Sequence, residues 1–212
     1  MQVSAEIRYW WRKSEASRIE KWFHEGRCPP GGGETRIDEY LKDPGQMELG
    51  IKRRGAQPGA EIKPGVEIKG LVARCERLPD TPFPGQVEIW TKWSSASLQL
   101  DPPATIAVTK QRWMRKFDTG SGTAREIPLD SSERSAARDP LPKDGCNVEF
   151  TSLRLPDGDP WWTLGFEAFG ELYSVERSLR IAMAEMASRQ PPAILPALVA
   201  SYPAWLDRLT RK

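Results

Sequence analysis

The chain has 212 residues, 39% of them hydrophobic, enough to bury one sizeable core, so a single domain over 1–212 is expected. Its 31 lysines and arginines nearly balance 29 aspartates and glutamates, and a formal charge of +2 excludes coating of nucleic acid through a global field. One histidine and three scattered cysteines (Cys28, Cys75, Cys146) leave no material for Ser-His-Asp or Cys-His catalysis, a His-rich metal site, a CxxC zinc site or a disulfide framework.

No apolar run approaches the roughly 20 residues that span a bilayer, and the N-terminus lacks the apolar stretch of a secretory signal. The expected setting is therefore cytoplasmic and reducing, with no membrane partner.

The first element is "AEIRYWWR", a strand in which Glu6, Arg8, Trp10 and Arg12 share one side and Ala5, Ile7, Tyr9 and Trp11 the other. Ser14 is the expected N-cap of a helix over Glu15–Glu25, with Ile19, Trp22 and Phe23 as its apolar stripe, the loop "GRCPPGGG" as its end and His24 on its surface. Strands follow from Thr35, Met47, Gly65, Gln86, Thr105, Cys146 and Trp161, each showing period-2 alternation or β-branched and aromatic enrichment. With the first strand they make eight. The connections are rich in Pro, Gly and Asp, as links between antiparallel strands should be. Residues from about 118 to 145, with Gly120–Gly145 rich in Ser, Arg, Asp and Pro, read as one long surface loop. Two helices close the chain, Leu172–Ser188 and Ile194–Leu209, the second interrupted at Pro203.

Strand after strand sets charge on alternate positions. Lys52 and Arg54 share a side with Gly50, Glu67 with Lys69, Glu88 with Trp90 and Lys92, Lys110 with Arg112 and Lys116, Glu149 with Asn147 and Thr151, and Glu167 with Thr163 and Gly165. For one strand the plain reading is a solvated face. Eight strands closing on themselves, with helices packed outside against Ile7, Ile51, Ile68, Ile89 and Phe166, force the charges inward. If the strands close in this way the fold is α+β, mainly β: an eight-stranded antiparallel β-barrel, or tunnel, with helices outside.

A tunnel that gathers Lys and Arg needs an anionic occupant, because like charges in a low-dielectric enclosure repel one another. Phosphate chains suit it, with Arg supplying bidentate donors and Lys point charges. Glu6, Glu149 and Glu167 are candidate oxygen ligands for Mg²⁺ or Mn²⁺, with hydrolysis then resting on charge neutralisation and a positioned water. Trp10 and Trp90 either stack on a base or ring or plug the barrel, packing being the commoner role of such aromatics. Trp161 and Trp162 read as anchors of a strand start.

The order of these segments resembles the CYTH, or triphosphate tunnel metalloenzyme, superfamily over most of the chain. "EIRYWWR" stands where that family has its opening E-x-E-x-K strand, "LGIKRRG" is similar to its basic strand, "VEIKG" to the strand ending in Lys-Gly, and "VTKQRW" to the later Lys-x-Arg strand. "RIDEYL" looks like the strand after the first helix, "VEFTSL" like the acidic strand after the loop, "LGFEAF" like the Gly-x-x-Glu strand, and "SYPAWL" like the closing segment. The resemblance also implies that eight-stranded antiparallel barrel with helices outside, together with a phosphorylated small-molecule partner (a triphosphate, polyphosphate or nucleotide) and a divalent metal, while the near-zero net charge leads to the expectation of no nucleic-acid partner. It carries Glu6, Glu149 and Glu167 over as acidic, catalytic and metal-binding positions. Lys52, Arg54, Lys69, Lys110 and Arg112 become substrate-binding positions, and Arg8 and Lys92 join them on the same faces. Arg8, Trp10 and Phe169 replace a family Glu, a Lys and a second acid, leaving the acidic shell of a metal-dependent triphosphatase incomplete. Three readings stay open: a divergent phosphohydrolase, a non-catalytic phosphate or nucleotide binder, and a structural barrel whose inner charges neutralise one another.

Overall fold

A computed structural model describes residues 1–212 except 27–28, 43–44, 56–64, 79–80, 99–103, 136–141, 157, 159, 195, 197 and 212, with backbone alone at 13–15 and 34. Cys28 and parts of the Pro/Gly-rich links and of the 118–145 segment lie outside the described residues.

The chain opens with β1 (Gln2–Arg12), α1 (Lys13–His24), β2 (Gly31–Leu41), β3 (Leu49–Arg54), β4 (Gly65–Leu78) and β5 (Gly85–Ser95). It continues through β6 (Thr105–Asp118), β7 (Arg125–Ile127), β8 (Gly145–Arg154), β9 (Trp161–Gly170), α2 (Val175–Ser188), β10 (Leu198–Val199) and α3 (Tyr202–Thr210). Eight of the strands form an antiparallel ring in the order β1-β5-β4-β3-β2-β6-β8-β9, closed by β9 pairing back onto β1 from Val3↔Gly170 to Arg12↔Trp161. The expected barrel is therefore the observed one. Among the described residues no helix is long and apolar enough to cross a membrane.

Two short strands and several boundaries correct the sequence reading. The pairing of β2 with β6 ends at Gly31↔Met114, so Lys116–Asp118 have a free edge, which β7 takes. The 118–145 segment is thus not one loop; a Leu129↔Ser135 bridge further ties it. In the same way β5 leaves β1 at Glu6, and β10 pairs Tyr9 and Trp10 beyond it. The expected C-terminal helix therefore starts only at Tyr202, and Pro203 sits in its first turn, where a missing N–H breaks no intrahelical bond. Arg12, extended and held opposite Trp161, occupies the N-cap position of α1 in place of Ser14, with no side-chain capping bond. β2 begins within the triple glycine, because Gly31 and Gly32 still pair with β6.

The opening strand's alternation has a direct cause. Ala5, Ile7, Tyr9 and Trp11 point outward into a core shared with Phe23 of α1 and Leu179 and Met183 of α2, while Glu6 and Arg8 point into the barrel. Ile89 and Phe166 join that core, but Ile51 and Ile68 are only half-buried and belong to neither core cluster. On the same outer side Arg115, 1% exposed, donates to the carbonyls of Phe23 and Glu25 at the end of α1. His24 lies half-buried, edge-on to Trp113 at 5.3 Å, instead of free on the surface.

A second apolar cluster seals one end of the barrel. Trp10 stacks on Trp205 of α3 at 4.3 Å between ring centroids, donates from Nε1 to the Ala200 carbonyl at 2.7 Å, and packs with Tyr40, Leu153 and Trp161. Of its two readings Trp10 takes the plug. Trp161 anchors the start of β9, with the Arg12 guanidinium 4.0 Å above its ring.

Candidate functional site

The inward faces of the strands enclose one cavity of about 190 Å³. All ten candidate residues line it: Glu6 and Arg8 from β1, Lys52 and Arg54 from β3, Lys69 from β4, Lys92 from β5, Lys110 and Arg112 from β6, Glu149 from β8 and Glu167 from β9. The convergence follows from the period of two in each strand and the closure of the ring. Sequence reasoning left out Arg36, Tyr40 and Tyr202, which also line it, and Asp38 just behind. Arg36, Asp38 and Tyr40 alternate in "TRIDEYL" and were open to the same argument; Tyr202, from a helix across the barrel end, had no such signal.

The charges pair unevenly. Glu149 accepts from Arg8 Nη2 at 2.9 Å and from Arg112 Nη1 at 2.8 Å. Glu67 lies 2.7 Å from Lys52 Nζ and 3.7 Å from Arg54 Nη1. Asp38 lies 2.9 Å from Lys110 Nζ and 3.3 Å from Arg36 Nε. Each of these three carboxylates is shared by two cations. Glu6 pairs with Lys69, and Glu167 with Lys92 at 3.2 Å. Among the described residues, eight cations (Arg8, Arg36, Lys52, Arg54, Lys69, Lys92, Lys110, Arg112) thus meet five carboxylates (Glu6, Asp38, Glu67, Glu149, Glu167) at the lumen. Glu133, from the segment after β7, adds one more by accepting from Arg112 Nε at 3.0 Å. Its φ of 60° places a non-glycine residue in the left-handed region.

Burial and neighbouring charge compete to set the protonation of these groups. It opposes ionisation of Glu149, but the Arg112 and Arg8 guanidiniums outweigh it and hold the carboxyl well below the usual range. Glu167 is likewise pulled down to about 2 by Lys92 and Lys69 against its burial. Lys110, 3% exposed, runs the other way: burial lowers it to about 8, with Asp38 only partly offsetting the effect. Tyr40 and Tyr202 are pushed up by burial and stay neutral phenols. Tyr40 accepts a hydrogen bond from Lys110.

A divalent cation was expected on Glu6, Glu149 and Glu167. The donor set does not fit one. Both oxygens of Glu149 accept from guanidiniums, Glu6 accepts from Ser4 Oγ at 2.6 Å and from Lys69, and Glu167 is held by Lys92. Among the described residues no group of three or more His, Cys, Asp or Glu side chains is placed to hold a metal ion. An ion with two positive charges would also enter beside Arg8, which cannot shed its own.

Fold and site together define a closed antiparallel barrel with a polar, cation-rich lumen, plugged by aromatics at one end. No protein-family model and no curated protein matches the chain. Among solved structures it is similar to the S. pombe RNA triphosphatase Pct1, determined in complex with the Spt5 CTD. The identity is 11%, over 88% of this chain and 77% of that one, and the TM-score is 0.36. That likeness is too slight to carry the reading of the site, which rests on the lumen's own side chains.

Proposed function

We propose that the lumen binds a phosphorylated small molecule, a triphosphate, polyphosphate or nucleotide, through its converging Lys and Arg side chains. The observation that supports this is that, among the described residues, eight cations meet six carboxylates at the lumen once Glu133 is included, with Glu67 and Asp38 each shared by two cations, which leaves positive charge uncompensated around the cavity. Partial compensation also argues against a purely structural barrel, since self-neutralised charges would pair one to one. A phosphate chain supplies the missing negative charge and accepts charge-assisted bonds from several strands at once.

The test is thermal denaturation and calorimetry with inorganic triphosphate and ATP. A ligand that prefers the native state must raise Tm by mass action, and no shift with any phosphate compound returns the barrel to a structural role. The same samples read catalysis. Release of phosphate from triphosphate, lost in Glu167→Ala, would add hydrolysis to binding.

Two further outcomes follow from the site. Lys110, lowered to about 8, keeps its charge at pH 7 and loses most of it by pH 9. Triphosphate affinity should therefore fall across that interval, and a Kd that stays flat by calorimetry would take Lys110 out of the binding set. Glu133 competes with ligand for the Arg112 fork. Glu133→Gln should tighten triphosphate binding about fivefold, the equivalent of ~1 kcal/mol for one partly exposed charge; weaker binding would make Glu133 a support of Arg112 instead of a rival.

A further inference from the structure

The opening strand sets a fixed cation among the carboxylates of the lumen. Arg8 pairs across the β1–β9 seam with Gly165, and its guanidinium lies flat on that glycine. A Cβ at Gly165 would stand 2.4 Å from Arg8 Cζ and 2.5 Å from Nη2, so only glycine admits the side chain in this pose. The Tyr202 ring, 4.8 Å from Cζ, packs on the same group. Nη2 donates to Glu149, yet among the described residues Nη1 is buried without a hydrogen-bond partner, on a side chain only 7% exposed that lines the cavity. A buried donor of a charged group is seldom left unmet.

Resting on the anion-binding reading above, we infer that Arg8 is a resident cation that takes the place of a divalent metal beside Glu149, so that the lumen takes its phosphate chain in the metal-free form. A terminal phosphate oxygen accepts from Arg8 Nη1, and Arg112, joined to Arg8 through the Glu149 carboxylate to which both donate, meets the same chain. Mg²⁺ bound to the chain in solution would cancel the negative charge this site reads and bring a second cation against Arg8.

Wild-type protein titrated calorimetrically with inorganic triphosphate, first in EDTA and then in excess Mg²⁺ or Mn²⁺, decides the matter. The expected result is binding in EDTA that excess metal weakens, and binding that metal leaves unchanged or tightens counts against the metal-free form. Binding that appears only with metal overturns the inference while leaving an anion-binding lumen intact. Absence of binding in both conditions overturns the anion-binding reading itself, and this inference with it. Arg8→Met should weaken binding in EDTA by about tenfold or more, and Arg8→Lys should recover part of it, because the charge returns without the planar fork. Melting curves of both variants separate a misfolded barrel from a folded one that has lost its anchor. A folded Arg8→Met protein that binds triphosphate in EDTA as wild type does would also overturn the role of Arg8.

Discussion

Asp38→Asn is expected to destabilise the protein by about 3–5 kcal/mol, the usual result of removing one member of a buried ion pair and leaving its partners charged. Asp38 is fully buried and is the shared counter-ion of Lys110 and Arg36. Its contacts are ion pairs at 2.9 and 3.3 Å, so the lost stabilisation is chiefly electrostatic, and the amide cannot replace it. The protein has one escape, deprotonation of Lys110, which burial already lowers to about 8 against its ordinary value. In the unfolded chain that lysine keeps its proton to much higher pH, so the unfolded state binds more protons and stability rises as pH rises through the folded value. Without Asp38 the folded value drops further and the window opens at lower pH. The destabilisation should therefore be larger at pH 6 than at pH 9. Urea denaturation at the two pH values measures both effects. A loss below about 1 kcal/mol at pH 6 would show that the pair is solvated and not buried. Inorganic triphosphate should restore part of the stability of Asp38→Asn, since it offers Lys110 and Arg36 another anion.

Arg112→Ala is expected to weaken triphosphate binding by about 1.5–3 kcal/mol, roughly 10- to 150-fold, the range for a charge-assisted bond made out of water. Two things place it toward the upper end. Arg112 is a forked donor that now serves both Glu149 and Glu133, and its removal leaves those carboxylates to repel the incoming phosphates. Arg112→Lys should recover the charge but not the two-pronged geometry, and so stand between the two. Calorimetry on protein with an unchanged circular dichroism spectrum checks the series; an affinity equal to wild type in Arg112→Ala would place the ligand elsewhere.

The contrast between Arg112 and Arg115 shows how much of the site was open to inspection in one dimension. Both belong to the run "TKQRWMRKF", and period two separates them onto opposite faces of β6. Arg112 enters the lumen with Lys110, as the alternation requires, while Arg115 turns outward and is buried under α1 by carbonyls that no local pattern announces. The same holds for the short strands. β7 and β10 pair only because β6 outruns β2 and β1 outruns its contact with β5, and such lengths depend on partners far away in the chain.

Side alternation, the eight barrel strands and the identity of ten lumen residues were therefore determined by the sequence itself, since each depends on local backbone geometry and on which face is apolar. What only the tertiary structure decided is who neutralises whom. Arg8 meets Glu149 across 141 positions through the closure of β9 onto β1, and Lys69 meets Glu6 across 63 because β4 and β1 flank the same strand, β5. Coulomb energy depends on distances of a few ångströms inside an enclosed, poorly screened space, and those distances exist only once the first strand has found the last.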